Sequence, residues 1–209
     1  MLDSLFIPAE DRQSKRLMIM LHGLGDSYEG YLWWPGAMHL PWLNYLLVNA
    51  PDEYFGGYSW FDFPDNPEPG VRRSYRLLAE LLDHQREKGF SPEQTIIGGF
   101  SQGGLMSIEV AARYPHKLAG AISVSGAVCT PEKLVKELSP VARQQKILAI
   151  HGTYDSLIPC DYVRKQINLL KQAGLNIKWV ELPKDHTIAG EAELSIIREF
   201  IRECFGDNK

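Results

Sequence analysis

The chain has 209 residues, of which 44% are apolar and 23% are charged, and this balance excludes a disordered protein. A net charge of -4 and a pI near 5.9 exclude the strongly basic surface of nucleic-acid-binding domains. The cysteines Cys129, Cys160 and Cys204 are odd in number and widely spaced, which excludes a disulfide framework or a zinc motif. We therefore expect a single domain over residues 1–209, with reduced thiols, in the cytoplasm.

The first residues show no pattern that predicts a signal peptide or a membrane anchor. Residues 1–8 lack a basic segment followed by a long apolar stretch. The longest apolar run near the start, Leu17–Leu21, is far too short to cross a bilayer. We therefore expect no integral membrane segment.

Short apolar runs recur along the chain and predict buried strands. In chain order they cover residues 17–21, 45–48, 95–97, 119–124, 146–150 and 177–182. Runs without polar alternation are typical of a parallel sheet that is covered on both faces.

Helical patterns separate these strands. They cover residues 71–88, 102–114, a short segment beginning at Pro131, 161–173 and 191–204. Gly89 and Gly174 follow two of the helices directly, where a glycine commonly ends a helix. Strand and helix alternate to the end of the chain, which predicts a doubly wound, mostly parallel α/β sheet with helices on both faces.

Two aromatic stretches, residues 27–44 and 54–70, interrupt the alternation. Their large side chains include Trp33, Trp34, Trp60 and Phe63. These side chains could simply pack onto the domain, or they could form the wall of a site for an apolar ligand. We expect the second role, with short to medium acyl chains, butyrate to octanoate, preferred over palmitate.

The sequence Gly99-Phe-Ser101-Gln-Gly103 matches the G-x-S-x-G pattern of a nucleophile elbow. The pattern alone is weak, but here it follows a predicted strand and precedes a predicted helix, as the elbow requires. That setting places Ser101 at a helix N-terminus, where free N–H groups stabilise a developing oxyanion. The alternative is a glycine-rich turn with an incidental serine.

A serine nucleophile needs a base and an acid that orients the base, in the chain order serine, acid, histidine. Of the six histidines, His186 alone follows every candidate acid, in the loop before the last helix. Asp155 follows the 146–150 strand and is the predicted acid. Asp161 belongs to a helix start, and Asp185 is adjacent to His186 in sequence, so both fit the role less well.

The oxyanion hole should combine the N–H of Gln102 with an N–H from the loop after the first core strand. That loop reads His22-Gly-Leu24-Gly-Asp26, and Leu24 is the predicted donor. Asp26 either holds the loop in shape or is an exposed turn residue. His22 and His151 each follow a strand and are predicted to support the site rather than to react.

With these segments in order, the chain resembles the acyl-protein thioesterase, or phospholipase/carboxylesterase, family of small α/β-hydrolases. The resemblance covers most of the chain and rests on HGLGD, GFSQGG, HG-x-x-D-x-x-IP and the run Ser59-Trp-Phe-Asp62. It implies an α/β-hydrolase fold, no metal or cofactor, and activity on acyl esters, lysophospholipids or S-acyl proteins. The chain departs from the family after Asp26 and in the Lys-Asp-His-Thr-Ile run around His186, which puts the substrate in doubt rather than the mechanism.

Three alternative interpretations fit the sequence less well. A dienelactone-type hydrolase would carry cysteine at the position of Ser101, and a non-catalytic ligand-binding protein would have lost part of the triad. A metal site of His22, His151 and Asp155 lacks a recognised ligand motif.

The partner that we expect is a small-molecule acyl ester or thioester, bound by a monomer or homodimer.

Overall fold

The computed structural model describes residues 1–206, so the predicted domain of residues 1–209 extends three residues beyond the described part. Seven strands form the main sheet, and two further strands form a separate hairpin. In chain order they are β1 (Ser4–Ile7), β2 (Leu17–Leu21), β3 (Asn44–Val48), β4 (Asp52–Tyr54), β5 (Gly57–Ser59), β6 (Thr95–Phe100), β7 (Gly120–Val124), β8 (Lys146–Gly152) and β9 (Asn176–Leu182).

The main sheet has the strand order β1-β3-β2-β6-β7-β8-β9, and all neighbours are parallel except the antiparallel pair β1 and β3. The α-helices are α1 (Trp34–Met38), α2 (Pro67–Glu87), α3 (Gln102–Arg113), α4 (Pro131–Lys136), α5 (Cys160–Gln172) and α6 (Glu191–Phe205). The predicted fold, a mostly parallel α/β-hydrolase sheet, is confirmed.

Side chains of β2 divide between the two faces of the sheet, as the pleat of a strand requires. Leu17, Ile19 and Leu21 belong to the apolar layer that contains buried residues of α2, α3 and α5. Met18 and Met20 belong to the opposite layer, with α1 and α6. All five are at most 2% exposed, which explains why the strand has no polar alternation.

The observed elements differ from the predicted ones mainly at the ends and in the aromatic stretches. Helix α2 begins at Pro67, four residues before the predicted start, because proline is favoured in the first helical turn. The 27–44 stretch contains a 3-10 turn (Tyr28–Tyr31) and α1, and the 54–70 stretch contains most of the β4–β5 hairpin. Strand β1 was not predicted.

The parallel strands all point the same way, so the segments that follow them meet at one edge of the sheet. We call this edge the carboxyl edge; it comprises residues 22–33, 49–66, 101, 125–130, 153–159 and 183–190. The segments that precede strands β2, β3 and β6–β9 form the amino edge, residues 8–16, 39–43, 88–94, 114–119, 137–145 and 173–175. Binding sites of such sheets lie at the carboxyl edge. Over residues 1–206, no helix combines the length and apolarity that a bilayer crossing needs.

Candidate active site

Ser101 lies in the sharp turn between β6 and α3, with φ 54° and ψ -114°. Residues with a side chain rarely adopt a positive φ, so surrounding contacts must hold this backbone in place. Ser101 N–H donates to Val124 O at 2.8 Å, and its carbonyl accepts from Leu105 N–H at 2.9 Å. The sharp turn of the nucleophile elbow, which the G-x-S-x-G pattern predicts, is therefore present.

Two glycines make room for this turn. A β-carbon at Gly103 would lie 2.3 Å from Leu21 O, and one at Gly99 would lie 2.4 Å from the carbonyl carbon of Gly103. Both distances are far shorter than a van der Waals contact, and the obstructing atoms belong to the backbone. Strand β2, the turn and α3 can approach this closely only because both positions lack a side chain.

Ser101, His186 and Asp155 form a continuous hydrogen-bonded chain. The Ser101 hydroxyl donates to His186 Nε2 at 2.8 Å, and His186 Nδ1–H donates to Asp155 Oδ2 at 2.7 Å. The Asp155 side chain is fully buried, and 12% of the His186 side chain is exposed. The structure thus brings together the three residues predicted as nucleophile, base and acid, from the loops after β6, β9 and β8.

The Asp155 carboxylate is fixed by its own loop. Its Oδ1 accepts from Ile158 N–H at 2.8 Å and from Leu157 N–H at 3.1 Å. Burial alone would raise the pKa of Asp155, but the hydrogen bonds from Ile158 and His186 outweigh it, and the pKa lies below its ordinary value. Asp155 therefore stays ionised and can orient His186.

His151 and His22 support the loops instead of joining the chain. His151 Nε2–H donates to Ile158 O at 2.8 Å and lies 3.3 Å from Asp155 Oδ2, so it braces the acid loop. His22 Nε2 accepts from Ala50 N–H, and its Nδ1–H donates to Gly23 O. Burial lowers the pKa of both rings, which keeps them neutral.

Two backbone N–H groups near the turn are suited to an oxyanion. Leu24 N–H donates no hydrogen bond within residues 1–206, while Gly25 N–H on the same loop is held by Tyr58 O at 2.9 Å. Gln102 N–H belongs to the first turn of α3, which helix geometry leaves without an intrahelical acceptor. These are the two predicted donors.

The side chain of Gln102 has a separate role that the sequence analysis missed. Its Oε1 accepts from Trp60 N–H at 2.9 Å, and its Nε2 donates to Phe61 O at 3.0 Å. Ser59 Oγ also donates to Oε1, at 3.3 Å. Gln102 therefore fastens the Ser59-Trp-Phe run to the start of α3, beside the nucleophile.

Asp26 shapes the loop that carries Leu24. Its Oδ1 accepts from Ser27 N–H at 2.8 Å, and its backbone N–H donates to Gly23 O. A β-carbon at Gly30 would lie 2.3 Å from this carboxylate, so the chain folds back closely over it. The loop-shaping alternative for Asp26 is the one the contacts favour.

A buried ion pair holds the His186 loop, and the sequence did not reveal it. Lys184 Nζ lies 2.7 Å from Glu193 Oε1 and also donates to Thr187 O and Ser125 Oγ. Glu193 Oε2 accepts from Ala189 N–H. In the sequence Glu193 looks like an ordinary first-turn helix residue; the one available signal is its distance of only nine residues from Lys184.

The predicted aromatic wall is only partly possible. Trp34 is 1% exposed and Trp60 is 0% exposed, so the prediction is wrong for these two side chains, which have no surface to offer a ligand. Both belong to the apolar layers, and Trp60 Nε1–H donates to His22 O at 2.9 Å. Trp33 and Phe63 are 45% and 61% exposed, and either can still contact a substrate.

The metal alternative receives no support from the geometry. The side chains of His22 and Asp155 are already hydrogen-bonded to their own loops and, for Asp155, to His186. His151 Nε2–H donates to Ile158 O, so this nitrogen has no lone pair for a metal ion. In the part of the chain that the structure describes, no three histidine, cysteine or acidic side chains are grouped to hold a metal ion. The three thiols are free.

The arrangement has the parts needed for acyl transfer. A neutral imidazole can take the serine proton, a buried carboxylate can stabilise the resulting imidazolium, and two N–H groups can receive negative charge on a carbonyl oxygen. Nothing in this geometry is specific to one alcohol or thiol leaving group.

Comparisons with known proteins agree with this geometry. The acyl-protein thioesterase 1 of Candida albicans is 32% identical over 94% of this chain and 95% of its own length. The acyl-protein thioesterase 1 of Schizosaccharomyces pombe is 33% identical over 87% of this chain and 88% of its own.

Solved structures are also similar. The crystal structure of esterase PE8 superposes with a TM-score of 0.83 at 29% identity, covering 97% of this chain and 99% of that one. Arabidopsis thaliana SOBER1 gives 0.85 at 25% identity, covering 91% and 99%. The family model described as phospholipase/carboxylesterase matches residues 2–205. The chain therefore belongs to the phospholipase/carboxylesterase family of α/β-hydrolases.

Proposed function

We propose that this protein is a serine hydrolase that cleaves acyl esters or thioesters through an acyl-enzyme at Ser101. The observation that carries the proposal is the hydrogen-bonded order Ser101, His186, Asp155 at a nucleophile elbow. The same three-residue geometry recurs on unrelated folds because a serine hydroxyl is a weak nucleophile without a base.

In the first half-reaction, Ser101 Oγ attacks the substrate carbonyl carbon while His186 Nε2 takes the hydroxyl proton. The carbonyl oxygen becomes negative and accepts hydrogen bonds from Leu24 N–H and Gln102 N–H. The tetrahedral intermediate then expels the alcohol or thiol, which leaves with the proton from His186. Asp155 stays ionised and stabilises the imidazolium throughout.

In the second half-reaction, water replaces the leaving group. His186 removes a proton from the water, whose oxygen attacks the acyl carbon, and the same two N–H groups receive the negative charge. Collapse of this intermediate returns the proton to Ser101 Oγ and releases the carboxylic acid.

The family and its named relatives support two physiological substrate classes. Relatives named acyl-protein thioesterase favour S-acylated proteins, and the family description favours lysophospholipids as the alternative. Three free thiols support a reducing compartment such as the cytoplasm. We propose one domain that acts as a monomer or homodimer without a cofactor.

Covalent labelling tests the proposal. A fluorophosphonate probe should modify Ser101, and Ser101→Ala should abolish labelling and lower kcat by on the order of 10⁴- to 10⁶-fold toward p-nitrophenyl butyrate. EDTA should leave the rate unchanged. An adduct on Cys129 or Cys160, or labelling that survives the substitution, would refute the assignment.

A further inference from the structure

The two edges of the sheet carry opposite charge. Within the carboxyl edge there are eight acidic residues and one basic residue, Lys184. The acidic residues are Asp26, Glu29, Asp52, Glu53, Asp62, Asp65, Asp155 and Asp185. Within the amino edge the balance is reversed, with six basic residues, Arg12, Lys15, Arg16, Lys88, Lys117 and Arg143, and four acidic ones. The overall charge of -4 conceals this asymmetry.

Most of the negative charge at the carboxyl edge is not compensated by neighbours. Asp155 belongs to the triad, and Asp52 pairs with Arg73. The other six carboxylates are exposed and form no salt bridge with any residue between 1 and 206; they are Asp26, Glu29, Glu53, Asp62, Asp65 and Asp185. The single lysine, Lys184, is 5% exposed and already paired with Glu193.

Several of these carboxylates adjoin the parts of the active site in sequence. Asp26 follows the loop that carries Leu24, and Asp185 directly precedes His186. Asp62 directly follows Phe61, whose carbonyl accepts from Gln102 Nε2 at 3.0 Å. The carboxylates do not form a site of their own; they lie in loops at the same edge of the sheet as Ser101.

A second, independent feature marks the same edge. Seven of the nine large apolar side chains that are exposed among residues 1–206 lie in its segments or in the first turn of α5. They are Leu32, Trp33, Phe55, Phe63, Tyr154, Leu157 and Tyr162. Exposed apolar side chains that concentrate around one site are typical of a surface that contacts a partner. The partner must therefore tolerate apolar contact and negative charge together.

From these two features we infer that the carboxyl edge selects a basic, acylated polypeptide segment as its substrate. This inference rests on the proposed function and specifies the charge of the leaving group. Lysine and arginine side chains beside the acylated residue would be attracted by the unpaired carboxylates, and the acyl chain would contact the apolar side chains. An anionic lipid headgroup or an acidic segment would be repelled by the same charges.

The physical effect is long-range steering, which acts on the encounter rate and is screened by salt. At physiological ionic strength charges act over about 8 Å, and a field focused on a cleft can raise association rates by roughly ten-fold or more. The selectivity should therefore appear in kcat/KM and fade as salt is added, while kcat at saturation changes little.

Two matched peptides test the inference. Both carry one S-octanoyl cysteine and differ only in whether lysines or glutamates flank it. At low ionic strength kcat/KM should be about ten-fold or more higher for the lysine peptide. The ratio should approach one at about 1 M salt, where the screening length falls to about 3 Å.

Charge-reversed variants show whether the carboxyl edge causes the preference. Glu29→Lys/Asp62→Lys should reduce the peptide ratio at least about three-fold, whereas Glu10→Lys/Glu93→Lys, with the same change in net charge at the amino edge, should not. Every rate is divided by the same variant's rate on neutral p-nitrophenyl butyrate, so partial misfolding does not affect the ratio.

The outcomes separate the inference from the function on which it rests. Equal rates on the two peptides, with p-nitrophenyl butyrate still hydrolysed, would overturn the inference alone; loss of all three activities would overturn the proposed function as well.

Sedimentation with phosphatidylserine vesicles tests whether an anionic membrane is the partner instead. We expect no binding, and binding that Phe55→Ser abolishes would overturn the inference.

Discussion

Lys184 Nζ lies 2.7 Å from Glu193 Oε1, and both side chains are buried. The pair connects the loop of His186 to the first turn of α6, and Lys184 also donates to Ser125 Oγ in the loop after β7. His186 therefore projects from a loop that is anchored on both sides. The anchoring is electrostatic.

Breaking one partner of this pair should destabilise the fold. Lys184→Met leaves Glu193 buried without its cation and should lower the free energy of unfolding by about 3–5 kcal/mol, measured by urea denaturation. Glu193→Gln should have a similar effect. The double variant Lys184→Met/Glu193→Gln removes the stranded charge and should recover most of the stability. If the pair positions His186, kcat should remain reduced in the double variant; recovery of both properties would assign the pair to stability alone.

The triad residues should act as a unit. His186→Ala should lower kcat about as much as Ser101→Ala, and Asp155→Asn should lower it somewhat less, by roughly 10²- to 10⁴-fold. Combining His186→Ala with Asp155→Asn should add little to the larger single effect, in steady-state assays with p-nitrophenyl butyrate. Near-normal activity of Asp155→Asn, together with inactive Asp161→Asn or Asp185→Asn, would show that Asp155 is not the acid of the triad.

Gln102→Ala should weaken catalysis although the backbone N–H of residue 102 remains. Without the amide side chain, the Ser59-Trp-Phe run loses its hydrogen bonds to α3, and a shift of the oxyanion donors by about 1 Å can lower the rate about 10²-fold.

Gln145→Ala is the matched control for this change. Gln145 is also buried, but at the amino edge, where its Oε1 accepts from Leu118 N–H and its Nε2 donates to His116 O. We expect both variants to lose about 1–3 kcal/mol of unfolding free energy. Only Gln102→Ala should lose kcat; an equal loss in both would make the effect purely structural.

Acyl-chain preference should depend on the two exposed aromatic side chains. Each buried methylene contributes about 0.8 kcal/mol, so kcat/KM should rise several-fold per carbon until the wall is covered. The measurement is kcat/KM for a series of p-nitrophenyl esters that runs from butyrate to palmitate. Trp33→Ala and Phe63→Ala should each shift the chain length at which kcat/KM is highest. Trp34→Ala and Trp60→Ala should instead lower stability by about 3–5 kcal/mol. If kcat/KM of the wild type does not depend on acyl-chain length, none of the four aromatic residues lines an acyl site.

Stability should depend on pH through Glu137. Hydrogen bonds from Arg72 and Arg113 lower the pKa of Glu137 to about 2, below its ordinary value of about 4. The stabilisation is therefore fully present above the ordinary pKa and is lost as the pH falls through about 2. Glu137→Gln should destabilise at pH 7, and the difference from wild type should narrow below about pH 4. The control is Glu80→Gln, at an exposed position of α2. In urea denaturation its difference in unfolding free energy from wild type should not change with pH.

Local patterns were sufficient to predict the centre of the fold and of the site. Strand β2 has the predicted bounds because every side chain in it is buried, so its apolar run has no ambiguous end. The turn at Ser101 was predictable because its glycines and its flanking elements are adjacent in sequence. His186 followed from chain order, and Asp155 followed from chain order together with its place after a predicted strand.

Other features depend on contacts that residue types do not encode. Strand β1 has mixed burial and pairs antiparallel with β3, so it lacks the continuous apolar pattern of the other strands. Trp34 and Trp33 are neighbours of one type, yet only the first is buried, because helix α1 turns it toward the sheet. Lys184 and Glu193 are charged residues of the kind that usually stay in solvent, and only the folded loop shows that they are paired in the interior.

The backbone at Ser101 sets a limit on how this enzyme can be engineered. Its φ of 54° is a conformation that glycine adopts freely, so the position that carries the nucleophile is one where the fold itself favours a residue without a side chain. Selection for heat resistance and selection for turnover therefore favour different residues at the same position. A library of variants enriched only for survival at high temperature would accumulate stable proteins that no longer hydrolyse anything, unless each round also requires catalysis.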